Sequence, residues 1–343
     1  MKNTKGQPYF ILLTALVIVV LIYGQHLLIP FFLSLIFWFL IREVRNLYRK
    51  VPFIEKKFPT WLQNTLATVL IFFIAAICVQ LLTKNIQSLS QSLEIYNQNL
   101  NHIAGKVNTR FGIDIKSLLS DYSGKLDFSG ILSNVFTSLT NIFGNAFTIL
   151  LYTLFLLLEE SIFSKKLKAL YSNPDQFENV NSIILKIDKS ISNYLTLKTI
   201  VSLMTGLLSY LALLIIGVES PFFWSFLIFL LNFIPTIGSL IATVFPAIFS
   251  LLQFGEFQPA LYVLIIVGLI QVLVGNIIEP KMMGNTLNIS SLVVLLSLSF
   301  WGAIWGITGM ILCVPITVIS VIICSEFPST RPIAILLSEK GKI

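Results

Sequence analysis

Asn232, Gln271, Asn276 and Glu279 are polar side chains set in the most apolar part of a 343-residue chain. Between Thr199 and Ile323 the only other formal charges are Glu219, Glu256 and Lys281. Polar groups at membrane depth are costly to hold there and commonly face a bundle interior or a wet cavity. The chemistry on offer is hydrogen bonding to a small solute, with Glu279 as the one credible proton carrier. Each residue also has a purely structural use. Asn232 would satisfy carbonyls freed by Pro235. Gln271 and Asn276 would bond neighbouring helices, for under ~1–2 kcal/mol each. Glu279 precedes Pro280 and lies two residues from Lys281, so an interfacial ion pair is an alternative to proton coupling.

The backbone around these residues is interrupted. Pro235, Gly238 and Pro246 break one apolar block, Gly275, Pro280 and Gly284 a second, and Gly302, Gly306, Gly309 and Pro315 a third. Hydrocarbon cannot hydrogen-bond a backbone, so such breaks survive only against protein or water. Paired interrupted segments mark the substrate sites of secondary transporters. Pro-x-x-Gly running on to Pro246 is faintly echoed by Gly-x-x-Gly running on to Pro315. The expected site draws on Asn232, Pro235 and Gly238, on Gln271, Asn276, Glu279, Pro280 and Gly284, and on Gly306, Gly309 and Pro315. Glycine and proline would lend open backbone and hinge freedom, while the polar side chains orient the solute.

Helices must position these residues. Hydrophobic residues make up 56% of the chain and charged ones 11%, far from soluble usage. The fold class is all-α, a polytopic membrane protein of about eight spans with broken or re-entrant helices in its C-terminal half. Spans are expected at 8–23, 27–41, 62–82, about 132–158 and 199–217, followed by apolar blocks 222–252, 261–278 and 291–323. The outer two blocks exceed a ~30 Å core as straight helices and break near their middles, so bent or re-entrant segments are favoured over single crossings. Basic residues from Arg42 to Lys57, with Lys2, Lys5, Arg331, Lys340 and Lys342, predict cytoplasmic N- and C-termini. The chain then divides into spans one to three with a basic loop (1–83), an extramembrane segment (84–131), the fourth span with a cytoplasmic amphipathic segment (132–198), a transport core (199–325) and a tail (326–343).

Leu82, Ile86, Leu89, Leu93, Tyr96, Leu100, Ile103 and Val107 form a heptad seam leading out of the third span. It would pack against the protein's own body or support a homo-oligomer, as would the spans. A return helix from 117–134 and a turn at 127–129 would complete that segment. The other partners are the lipid bilayer and a small-molecule solute. The net charge of +7 reflects membrane sidedness and calls for no nucleic acid. Cys78, Cys313 and Cys324 and two distant histidines offer no metal or disulfide pattern, and no cofactor is expected. Gly105-Lys106-Val107 and Gly124-Lys125-Leu126 lack the rest of a phosphate-binding loop, and no hydrolase motif is present, so no enzyme activity is expected.

At the same residues the chain resembles the autoinducer-2 exporter (AI-2E) family of bacterial membrane proteins. The likeness rests on Tyr194-Leu195-x-x-Lys198, Gly206, Gly217, Trp224, Phe233-Ile234-Pro235-x-x-Gly238 and Gln271 through Asn276-x-x-Glu279-Pro280-x-x-x-Gly284. It continues through 292–296 and Gly306-Ile307-x-Gly309-Met310-x-x-x-x-Pro315. The resemblance implies about eight spans, the inner membrane, and transport of small solutes, either autoinducer-2 or sodium (lithium) against protons. Many relatives carry an acid shortly before the Asn matched by Asn276, where this chain has Val274. The expected function is therefore export of a small polar solute. A cation/proton antiporter and a non-transporting envelope scaffold are the alternatives.

Overall fold

The structure, a computed structural model, describes residues 16–50, 58–111, 144–171, 173–284 and 288–341. The expected positions at Lys2, Lys5, Lys56, Lys57 and Lys342, the starts of the first and fourth spans, and the 117–134 helix and 127–129 turn lie outside the described residues. Among the described residues there is no strand. The helices are α1 (Gln25–Arg49), α2 (Thr60–Gln91), α3 (Leu93–Phe111), α4 (Ala146–Leu170), α5 (Pro174–Ile216), α6 (Pro221–Leu231), α7 (Ile237–Phe254) and α8 (Phe257–Leu273). A π-helix (Val274–Ile278), α9 (Glu279–Met283), α10 (Ser291–Glu326) and α11 (Arg331–Leu337) follow. Seven of the described helices are long and apolar enough to cross a bilayer, counting Phe257–Met283 as one rod. The chain is an all-α, multi-pass membrane protein.

It divides into two compact units. Unit 1 comprises Met1–Asn64, Asn145–Thr196 and Asn285–Ile343, and unit 2 comprises Thr65–Gly144 and Leu197–Gly284.

In unit 1 the first two apolar runs meet at Gly24 alone. Residues 16–23 are helical, and α1 begins at Gln25, so His26 lies in its first turn. Residues 42–49, expected to open a basic loop, are instead the last two turns of α1. Acids far along the chain explain the difference. Arg42 forks onto Asp188, and Arg45 donates to Glu160 at 2.8 Å and Asn64 at 2.8 Å. Trp38 Nε1 also donates to Glu160, at 3.2 Å. Planar guanidinium groups match carboxylates in this way where lysine would not.

The last apolar block, α10, doubles back on itself. Gly306 holds φ 60° and ψ −140°, a conformation essentially closed to side chains. Ser297 Oγ donates to the Cys313 carbonyl at 3.2 Å and lies 2.5 Å from Thr317 Oγ1. In a straight helix residues 297 and 313 would stand about 24 Å apart, so residues 291–305 and 307–326 are the arms of a helical hairpin.

Unit 2 is built on a second hairpin. Trp224 on α6 and Phe249 on α7 bring their rings to 4.7 Å, although 25 residues separate them. With 11 residues, α6 reaches about 16 Å, well short of a ~30 Å hydrocarbon core. The heptad seam packs here. Leu82, Leu89 and Tyr96 join Leu213, Trp224, Ile228 and Phe249 in one buried cluster, and Tyr96 meets the Phe249 ring edge-on at 5.2 Å. The seam therefore packs intramolecularly along these residues, while Leu100 stays exposed.

A polar clamp closes this end of unit 2. Glu219 accepts from Tyr96 Oη at 2.5 Å and from Ser88 and Ser92 at 3.1 Å each. Asn99 caps α7 by donating to the carbonyls of Leu252 and Gln253. Burial first, then the bond to Glu219, raises the Tyr96 phenol above its ordinary value of 10.0. A proton held more tightly in the folded state gives stability that is full below that ordinary value and lost as pH rises past it. Subtilisin cleavage within α3, which needs no charged side chain, should therefore accelerate above pH ~10. Tyr96→Phe should abolish that pH dependence and destabilise α3 at neutral pH by about 1–3 kcal/mol, since Glu219 loses a donor. Parallel cleavage-versus-pH curves for the two proteins would refute the clamp.

Candidate transport site

Both sequence-predicted breaks of unit 2 depart from the regular α-helix. At the α6–α7 tip, Thr236 adopts φ 60° and ψ −59°, and Ile237 N donates to Pro235 O at 2.6 Å. This is the rare, strained γ-turn, here on a β-branched residue, and conformations of this kind cost about 1–3 kcal/mol. Past α8 the helix widens into the π-helix Val274–Ile278, a bulge frequent at functional sites. Pro280 follows in α9, and Gly284 ends it at φ 53° and ψ −135°.

The structure joins these two breaks through α5. Lys198, expected at the end of a cytoplasmic segment, lies inside this 43-residue helix and is only 5% exposed. Its Nζ sits 2.5 Å from Glu279 Oε1. Glu279 therefore pairs with Lys198 across 81 residues of sequence, not with Lys281. Positions two apart on a helix do not face each other, which is why the local pair fails. One turn along α5, fully buried Ser202 accepts a hydrogen bond from Asn232 Nδ2 at 3.0 Å. Asn232 thus turns to α5 and not to a carbonyl freed by Pro235. Gln271 is buried one turn before the π-helix, and its Nε2 has no partner among the described residues. Asn276 lies exposed on the π-helix itself.

Two of the expected glycines sit where hairpin arms meet. A Cβ on Gly238 would stand 1.9 Å from the Leu231 carbonyl oxygen, and one on Gly309 would stand 1.9 Å from that of Trp301. At these positions the hairpin arms touch as close approaches. Gly306, Gly309 and buried Pro315 belong to the unit 1 hairpin, while Asn232, Pro235, Gly238, Gln271, Asn276, Glu279, Pro280 and Gly284 belong to unit 2. Lys198 and Ser202 were not among the expected site residues. A polar residue every turn of an otherwise apolar span was the available signal.

The family described as AI-2E family transporter matches residues 10–329. The chain belongs to the AI-2E family. Its members are transport proteins, not enzymes, and the family's likeness spans both units. The chain is similar to the AI-2 transport protein TqsA of Escherichia coli (strain K12), 34% identical over 343 residues, covering 98% of this chain and 97% of the relative. It is also similar to a putative transport protein of Haemophilus influenzae, 31% identical over 350 residues and 99% of each chain. A putative transport protein of Borreliella burgdorferi is 34% identical over 254 residues, 73% of this chain and 68% of the relative.

Proposed function

We propose that this AI-2E transporter is a secondary permease that exports a small polar organic solute, with autoinducer-2 as a candidate cargo. It would act in a bacterial inner membrane with both termini cytoplasmic. The hairpins would be re-entrant, and the site would lie in unit 2 among Asn232, Gln271, Asn276 and Glu279, with the γ-turn and π-helix supplying accessible backbone. The observation that carries this reading is the convergence on α5. Within one helical turn, Lys198 and Ser202 hold polar side chains from both broken segments.

The compensated charge favours an organic solute over a cation. Glu279 is already neutralised by an ammonium, so a bare cation would have to displace Lys198 and leave it buried without a counter-charge. Purified protein in liposomes should move autoinducer-2 or another small polar solute faster than protein-free liposomes do, with or without imposed pH and sodium gradients. Sodium-driven pH changes without any solute flux would overturn the reading in favour of antiport.

A further inference from the structure

The open end of the α10 hairpin is closed by α11, within unit 1. Beyond the second arm, Thr330 Oγ1 donates to the Cys324 carbonyl at 3.0 Å and Arg331 N to that of Phe327 at 2.9 Å, turning the chain into α11. At the other end of α11, the Leu337 carbonyl accepts from Ser290 N at 3.1 Å. Ser290 is the N-cap of the first arm, where its hydroxyl accepts from Val293 N at 3.3 Å. The seven residues of α11 rise about 10 Å, the distance between the axes of two packed helices. α11 therefore bridges the two ends of the hairpin and holds them level.

Its burial is the reverse of that of a surface helix in water. Ala334 is 0% exposed and Ser338, one turn on, is buried as well, so small residues face the protein. Leu336 is 80% exposed, and Ile333 and Ile335 are about half exposed. A helix against water would turn its large aliphatic side chains inward and leave alanine and serine outside. The arm ends that α11 joins are aliphatic and exposed too, at Leu292 and Leu296 on the first and Ile323 on the second. Charge frames this surface. Arg331 opens α11 and Lys340 follows it, both exposed, with Glu339 beside Lys340 and Glu326 engaged by Lys186 at 2.5 Å.

We propose that α11 is a lipid-seated foot, lying in the membrane plane at the boundary between acyl chains and headgroups. Ile333, Ile335 and Leu336 enter the acyl layer, while the long side chains of Arg331 and Lys340 reach headgroup phosphates. The partner is lipid and not a second chain, because α10 is long and apolar enough to meet the bilayer and its exposed ends continue the aliphatic surface. Basic groups at both ends of α11 complement phosphate. The foot fixes both ends of the hairpin at one leaflet, whether the arms turn within the bilayer or cross it. This goes beyond the transport reading and needs no flux.

Photolabelling in nanodiscs tests it on the unaltered chain. Phosphatidylethanolamine and phosphatidylglycerol with a diazirine beside the acyl carbonyl are compared with the same lipids carrying it at the chain terminus. Peptide mass locates each adduct. The shallow probe should outlabel the deep one at least about fivefold on Ile333, Ile335 and Leu336, since an interfacial helix enters only ~5–10 Å. Exposed Leu269, midway along the Phe257–Met283 rod, should show the opposite preference, and Ala334 and Ser338 should stay unlabelled. No adduct on α11 while Leu269 is labelled would place the helix in water or beneath another chain and overturn the proposal. Labelling of α11 chiefly by the deep probe would overturn it as well. A failed transport assay would leave these adducts unchanged, so the two readings fail separately.

Discussion

Glu279→Ala is expected to destabilise the protein by about 3–5 kcal/mol, because it strands the Lys198 ammonium without its counter-ion. Lys198 is 5% exposed, and its Nζ pairs with Glu279 Oε1 at 2.5 Å. Lys198→Ala should cost less, since the Glu279 side chain keeps 20% of its exposure and water partly solvates the remaining charge. The double variant Lys198→Met/Glu279→Leu should be more stable than Glu279→Ala. Replacing a buried pair with apolar side chains is often neutral, whereas breaking it is not. Thermal unfolding in detergent reads all three. A Glu279→Ala protein as stable as the parent would mean that the pair is solvated in the membrane and does not link α5 to the second break.

A comparable effect is expected at the hairpin contacts. Gly238→Ala and Gly309→Ala each place a methyl group 1.9 Å from a backbone carbonyl oxygen, and a carbonyl cannot swing aside like the end of a flexible side chain. Each should lose at least about 3 kcal/mol, the upper range for overpacking, and the yield of inserted protein should fall with it. Gly105→Ala on α3 meets nothing within 4 Å and should stabilise by about 0.5–1 kcal/mol through helix propensity. If all three behave alike, the hairpin arms do not touch at these glycines.

The breaks themselves were legible in the sequence. Pro235-Thr236-Ile237-Gly238 and Gly306-Ile307-Thr308-Gly309 interrupt apolar runs too long for one crossing, and both runs fold as hairpins. The faint echo between them has a structural counterpart, since each places a glycine just past the turn where the arms meet. The heptad from Leu82 to Val107 was equally plain as a helix, but its partner was not. Spacing names a buried face without naming what covers it, and Tyr96 reaches Glu219 across 123 residues.

Other features depended on contacts that no local pattern contains. Arg42 looked like the start of a loop because Asp188, 146 residues on, cannot be read as its partner. Lys198 reads as the last cation of a cytoplasmic amphipathic segment for the same reason. Ser202 carries no signal of its own in the sequence, because serine in apolar helices usually satisfies itself on the preceding turn. Gly238 and Gly309 showed in sequence as glycines, but whether they bend the chain or admit a neighbour depends on the neighbour.

Uptake into liposomes holding purified protein, compared between the parent and Asn232→Ala at equal insertion, tests the central claim most directly. Asn232 is bonded to Ser202 on α5, one turn from Lys198 and its partner Glu279, and its loss leaves the hairpin glycines untouched. The expected result is parent-dependent movement of a small polar solute that falls at least about tenfold in Asn232→Ala, equivalent to ~1.4 kcal/mol of lost interaction. Solute movement unchanged by Asn232→Ala would contradict it and place the route elsewhere in the molecule.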